Sequence, residues 1–447
     1  MSENFKSLNL ILRISDFFNI KEEEIIKKYN TYYDFIKNSQ KLKIKPIYFL
    51  EKTIYLFYLF YLISPIHLII LNLYHIYINK LNDKKVILNV NKALIDRWNK
   101  FSNYKFVHTI VLDNFFVKIF CKRLPFEKMF YVINNYIKLL FTYLLNKKYR
   151  TNDFYDIELF QKFLNDYMIG SFLGGLTSQV SLDAGAYTLN FAKYVGIKEI
   201  NKKIDVCALQ VHAASREPMM IFFQADKIFS ITERSSIFYP QIIGKREEKV
   251  VGSRLLEKYI DSSSESLKFK PQGNSILVLF GNTHHPNGLY YGPNHNKLYG
   301  KFLEDLIKLS EDFNYCKFCY LHHKNFKSNF EIDYLANSSF IKLDPFLNVY
   351  LTSLKYDFVI SFGSTVVTEL YNYHPNIYLY SPSSSSPYRV QDKTFRYINS
   401  YMHLKELISN YLNNKNNNSK VNNVFINKNS NNLMDFDKRL YNACIKK

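Results

Sequence analysis

Asp357–Pro382 reads DFVISFGSTVVTELYNYHPNIYLYSP, and this run sets the fold class. Phe358–Ser361 is a short apolar strand. Gly363 permits a tight turn and close backbone approach, because it carries no Cβ. Ser364 and Thr365 are residue types that cap helices, and a helix is expected over Thr365–Tyr373. A second strand, Asn376–Tyr380, follows Pro375, which cannot continue a helix. Strands that alternate with helices in this way belong to a parallel sheet covered by helices on both faces.

The same alternation continues upstream. Ser275–Phe280 (SILVLF) is a buried-strand run, Lys301–Ser310 a helix, Phe318–Leu321 a strand and Val349–Lys355 a helix. The polar stretch Asp261–Gly273 (DSSSESLKFKPQG) has the character of a linker. An earlier series precedes it. Val86–Val90 and Phe106–Leu112 read as strands, with helix-like Ala93–Phe101 between them and a helix at Phe126–Leu145. A further helix leads to a glycine-rich break, Gly170–Gly175. A helix over Asp183–Val195 and strands at Val206–Val211, Lys227–Thr232 and Lys249–Gly252 complete the series. The expected division is a helical hydrophobic region at 1–83, an α/β domain at 84–262, a second at 263–412 and an Asn/Lys-rich low-complexity tail at 413–447. Two successive α/β series joined by a linker are the architecture of a cleft enzyme, with strand carboxyl ends facing a ligand.

Thr53–Asn79 is apolar and free of formal charge between Lys52 and Lys80, longer than a membrane-spanning helix needs. Ser64-Pro65 interrupts it, and its histidines and tyrosines suit an interface better than a clean crossing. An interfacial hairpin and a pair of buried helices both remain open.

Composition narrows the classes. The chain of 447 residues carries a formal charge of +20, with 38 Phe and 37 Tyr beside one Trp. Phosphate-bearing substrates and anionic membrane surfaces suit this charge. No finger, RRM or KH pattern and no basic groove-binding helix is present, so nucleic acid is not an expected partner. Five cysteines, an odd number, without a signal peptide point to a reducing cytoplasm. Cys316 and Cys319 form a CxxC with no second pair, so packed thiols are expected rather than a zinc site.

Several residues carry candidate chemistry. Unsatisfied N–H groups and hydroxyls at Gly363, Ser364 and Thr365 suit a phosphate, and Glu369 one turn on is placed to reach a ribose or sugar hydroxyl. Gly281–Gly292 (GNTHHPNGLYYG) follows the first strand of the second domain and puts Asn282, His284 and His285 at the cleft. Lys324 or Arg389 would supply positive charge. Asp183 reads as a helix N-cap or as a competing base.

These segments, in order, resemble the bacterial capsule and teichoic-acid transferases of GT-B type. There a hydrophobic strand leads into a Ser/Thr pair, and a helix ends before a Pro-led strand such as His374-Pro375-Asn376-Ile377-Tyr378. Phe318–Lys324 (FCYLHHK) resembles the family strand whose histidine contacts the donor phosphate; His322 matches it, with His323 where the family has proline. Ile341–Tyr350 (IKLDPFLNVY) resembles the loop and helix before the phosphate element. In the first domain, Cys207–Pro218 (CALQVHAASREP) resembles the strand that ends in Gln-x-x-His-Gly, with His212 at the histidine and Ala213 in place of glycine. Ala225-Asp226-Lys227 and Lys249–Arg254 resemble the elements that follow.

The resemblance implies two Rossmann-like domains and transfer of a sugar from a nucleotide-activated donor to a saccharide or lipid-linked acceptor of surface polysaccharide. His322, Ser364 and Thr365 would hold the donor phosphate, Glu369 the ribose or sugar, and His212 would be the base. Imidazole suits that role because its pKa lies near neutrality; a hydrogen-bonded structural histidine is the other reading of His212. No DxD metal motif is present, so no metal and no cofactor is expected. The expected location is the cytoplasm, peripheral at the inner membrane face. A polyol-phosphate transferase, a GT-B sugar-nucleotide epimerase and a non-catalytic membrane-associated module are the alternatives.

Overall fold

The computed structural model describes residues 21–30, 85–90, 107–112, most of 163–210, 222–232, 246–261, most of 269–280, 295–322, 330–362, most of 364–380, 396–417 and 436–445, with a few further positions. The first sheet holds β1 (Val86–Val90), β2 (Val107–Leu112), β3 (Val117–Lys118), β4 (Val180–Asp183), β5 (Asp205–Leu209), β6 (Lys227–Ser230) and β7 (Glu247–Val250). Its order is β3-β2-β1-β4-β5-β6-β7, parallel throughout except that β3 runs antiparallel to β2. The second sheet holds β8 (Ser275–Phe280), β9 (Lys317–His322), β10 (Ile341–Lys342), β11 (Phe358–Ser361), β12 (Ile377–Tyr380) and β13 (Tyr397–Ile398). Its order is β10-β9-β8-β11-β12-β13, all parallel.

Both orders grow outward from a first strand and reverse beside it, the doubly wound Rossmann-like pattern. The sequence explains the central strands. All six residues of β8 are buried, as a parallel strand covered on both faces requires, and SILVLF is accordingly almost continuously apolar. Its core partners include Phe302, Leu303 and Leu306 of α3, defined below, and Phe358 and Ile360 of β11. At the amino ends of β8 and β11, Asp357 accepts from the Ser275 backbone N–H at 3.0 Å and from the Tyr411 hydroxyl at 2.8 Å.

The helices are α1 (Phe191–Ile200), α2 (Arg254–Asp261), α3 (His295–Asp312), α4 (Phe330–Leu335), α5 (Val349–Ser353), α6 (Val366–Glu369), α7 (Tyr401–Asn417) and α8 (Phe436–Ile445). Three local expectations are corrected. Val180–Asp183 is a central strand, not the start of a helix; it pairs with β1 and β5 on its two sides, and the helix begins later, capped by Asn190, whose side chain accepts from the Lys193 N–H. Gly170 and Gly174 are helical rather than a break. A Cβ on Gly170 would lie 2.1 Å from the Lys193 carbonyl oxygen, and one on Gly196 2.3 Å from that of Tyr167. Glycine is there because two helix backbones touch. The helix expected over Thr365–Tyr373 is only the four residues of α6.

Part of the 413–447 region also belongs to the fold. Within 413–447, Phe436–Ile445 forms α8, whose Phe436, Leu440 and Cys444 share one stripe and pack on Val86, Leu88 and Val90 of the first sheet. Arg254 donates to both oxygens of Asp437, at 3.0 and 3.3 Å, and its guanidinium lies 4.7 Å from the Trp98 ring centroid. Arg439 pairs with Glu257. A segment that follows the second sheet in the chain is therefore packed on the first. Two Rossmann-like domains bound together in this way form a GT-B fold. Among the described residues no helix is long and apolar enough to cross a membrane; the apolar run 53–79 lies outside them.

Candidate functional site

In open parallel sheets the ligand crevice lies outside the strand carboxyl ends, where the order reverses. In the second sheet that point lies between β8 and β11, and the turn after Ser361 is built there. The Ser361 hydroxyl donates to the Leu279 carbonyl of β8 at 2.9 Å and accepts from the Ser364 N–H at 3.0 Å. The Ser364 hydroxyl accepts from the Val366 N–H at 3.3 Å. Ser361 is thus a buried clamp that ties the turn to the central strand, and Ser364 is the half-buried residue above it. Ser361 was read from sequence only as a strand end; its clamp role depends on β8.

His322 ends β9, in register with Phe280 at the end of β8. Its ring packs on Phe280 and Tyr320, with centroids 5.2 and 5.3 Å away. Burial, and then the charge of Lys342, lowers its pKa to about 4, so the imidazole is neutral at pH 7. Beneath it lies Glu331 of α4, fully buried, whose Oε2 is 3.9 Å from His322 Nε2. The Tyr299 hydroxyl donates to Glu331 Oε1 at 2.5 Å. Burial raises the Glu331 carboxyl above the usual glutamate value. Sequence reading missed Glu331 and Tyr299, which stand in different helices and carry no spacing signal.

Glu369 is placed differently from the expectation. Rather than facing a ribose or sugar hydroxyl, it is buried and both its oxygens are engaged by protein: Oε1 accepts from the Ser253 hydroxyl, Oε2 from the Tyr350 hydroxyl at 2.7 Å. Desolvation raises its pKa, opposed by those two hydrogen bonds. Ser253 follows β7 and Glu369 follows β11, so the carboxyl ends of the two sheets meet at this carboxylate.

The reversal point of the first sheet lies between β1 and β4. There Asp183 is neither an N-cap nor an open base. Its Oδ1 accepts from Lys193 Nζ at 3.0 Å and from Asn89 Nδ2 at 2.8 Å, and both partners are buried. A buried carboxylate needs such partners.

His212, Asn282, His284, His285, Lys324, Gly363, Thr365 and Arg389 lie outside the described residues. Among the described residues no group of three or more His, Cys, Asp or Glu is arranged to hold a metal. Cys207, Cys316, Cys319 and Cys444 are buried thiols, with Cys319 inside β9, as expected of packed cysteines.

No protein-family model matches the sequence, and no curated protein matches it. Solved structures resemble the chain at low identity. The UDP-GlcNAc 2-epimerase from Neisseria meningitidis bound to UDP-GlcNAc is 12% identical, over 81% of this chain and 99% of that one, with a TM-score of 0.45. The S. aureus MnaA–UDP structure is 12% identical over 80% and 95%, with a TM-score of 0.42. The MurG of Acinetobacter baumannii is 12% identical over 74% and 92%, with a TM-score of 0.38. The fold assignment rests on the strand orders and the returning α8, not on these scores.

Proposed function

We propose that this chain is a nucleotide-sugar enzyme that transfers a sugar from a nucleotide-activated donor to a saccharide or lipid-linked acceptor, in the assembly of surface polysaccharide. The observation that carries the reading is the Ser361–Ser364 turn, clamped to β8 at the reversal point of the second sheet, with His322 at the neighbouring strand end. Ser364, with Gly363 and Thr365, would receive the donor phosphate there, and His322 would donate a hydrogen bond to it. His212 on the first domain would take the acceptor proton. Glu369 acts in this reading as a bond between the two sheet ends rather than as a sugar ligand. No metal or cofactor is invoked.

The first test is a thermal-shift screen against UDP, CDP, GDP and CMP, since a ligand that binds only the native state raises its melting temperature. Donor-dependent nucleotide release then compares the wild type with His212→Ala and Ser364→Ala. The proposal requires one nucleotide to stabilise the protein and both variants to lose turnover by about 100-fold or more, the scale of general-base and electrostatic contributions. Unchanged turnover in both overturns the site. Incubation with donor alone separates reaction types, because an altered sugar in the unreacted donor marks an epimerase instead.

A further inference from the structure

Among the buried carboxylates, Asp183 is compensated by the cation of Lys193, 3.0 Å from its Oδ1, and Glu369 is shared by two hydroxyls. Glu331 differs. It is fully buried, one of its oxygens is held by Tyr299, and the other has no hydrogen-bond partner in the structure. That oxygen faces the ring of His322 at 3.9 Å, about one ångström beyond a hydrogen bond. We propose that Glu331 is a positioning residue for His322, and that the two become an imidazolium–carboxylate pair when an anion occupies the carboxyl end of β9. The anion-binding half of this inference rests on the reading of the second domain given above; the pairing itself does not.

The physical case is one of charge balance. A carboxylate in a desolvated site is costly unless a cation or strong donors compensate it. Tyr299 supplies one donor, and a protonated His322 would supply the second. An imidazolium at that place is in turn costly while no anion is near, because it lies buried and within reach of Lys342. An incoming phosphate removes that cost. One proton moves to the imidazole, from solvent or from Glu331 itself, and no covalent bond changes. The Phe280 ring on β8, the Tyr320 ring on β9 and the Tyr299 hydroxyl on α3 also lie against the pair. A neutral histidine in the empty protein and a charged one in the complex would make donor binding self-limiting: the site acquires its positive charge only when the ligand brings a negative one.

The test uses the full chain with nitrogen-15-labelled histidine, the His322 signal being assigned by its loss in His322→Gln. In the free protein, the protonated fraction of His322 at pH 5 should fall about threefold or more in Glu331→Gln, the effect of at least a half-unit shift. In the unmutated protein the Glu331 carboxyl carbon should respond in the same titration step, as coupled groups do; this measurement needs no variant to fold. At pH 7, UDP or inorganic pyrophosphate should convert His322 to imidazolium in the wild type and not in Glu331→Gln. Independent titration of the two residues overturns the inference whatever binds. A His322 that stays neutral in a saturated complex overturns the switch. Coupled titration with no binding of any nucleotide or pyrophosphate supports the pair and overturns the donor-site reading instead.

Discussion

The hydroxyl of Ser253 donates to the carboxylate of Glu369, 116 residues further along the chain. This bond joins the segment after the last strand of the first sheet to the segment after the central β11 of the second. Because Glu369 is buried and its carboxyl is shifted upward by desolvation, its protonated form is the one the fold prefers. The native state therefore holds more protons than the unfolded chain from the ordinary value of 4.5 upward. Stability from this site is complete below that pH and is lost as pH rises through the raised value. We expect Glu369→Gln, which resembles the protonated acid, to match the wild type in acid and to exceed it at higher pH in urea melts. Glu369→Ala should lose about 1–3 kcal/mol in acid by orphaning the Ser253 and Tyr350 hydroxyls, a deficit that narrows as pH rises through the raised value. Parallel melting curves for wild type and Glu369→Gln would falsify the sign.

Lys193 and Asp183 make the opposite kind of pair, two opposite charges closed off from water, with side chains 4% and 0% exposed. Lys193→Met should destabilise the protein by about 3–5 kcal/mol, since it leaves a carboxylate buried without its cation. Adding Asp183→Asn to that variant should recover most of the loss. A double variant no more stable than Lys193→Met would remove the ion pair from the account.

Two glycines in helical segments should respond with opposite signs. Gly170→Ala places a methyl against the Lys193 carbonyl, 2.1 Å away, and neither helix backbone can yield cheaply. We expect a loss of about 3 kcal/mol or more. Nothing lies within 4 Å of a Cβ on Gly300 in α3, so Gly300→Ala should gain roughly 1 kcal/mol from helix propensity alone. Thermal melts of the two variants decide both at once.

His374 predicts an acid limb. Its Nε2 bonds to the Tyr356 carbonyl at 3.0 Å, and its Nδ1 accepts from the Asn376 N–H at 3.1 Å. That pattern fixes a neutral ring with the proton on Nε2, and burial lowers its pKa to about 4. Between the ordinary value of 6.5 and about 4 the unfolded chain binds more protons than the native state. The stability contributed is present above 6.5 and lost as pH falls through the folded value. His374→Asn should be less stable than wild type at pH 7 yet change less between pH 7 and pH 4, as followed by urea midpoint. An equally steep acid limb in the variant would assign it elsewhere.

Much of the fold was legible along the chain. SILVLF at Ser275–Phe280 and FVIS at Phe358–Ser361 are strands at the expected positions because a strand buried on both faces admits almost nothing but apolar residues. The turn at Ser364 was legible for a local reason too, since helix capping selects a few residue types. Segments whose roles depend on distant partners were not. SLD at Ser181–Asp183 has the look of a helix start until β1 and β5 flank it, and the glycines at 170 and 174 look like a break until a second helix lies against them.

The sequence by itself determined two α/β units, their central strands and the turn at Ser364 after β11, because periodicity and turn chemistry act between near neighbours. Only the tertiary structure decided that Glu369 faces Ser253 and Tyr350, that Asp183 is neutralised by Lys193, that Glu331 lies beneath His322 and that α8 returns to the first sheet. The Asn89–Asp183 bond spans 94 residues and the Arg254–Asp437 bond 183. A buried charge selects whatever partner the packing brings within about 3 Å, and no local pattern encodes which residue that is.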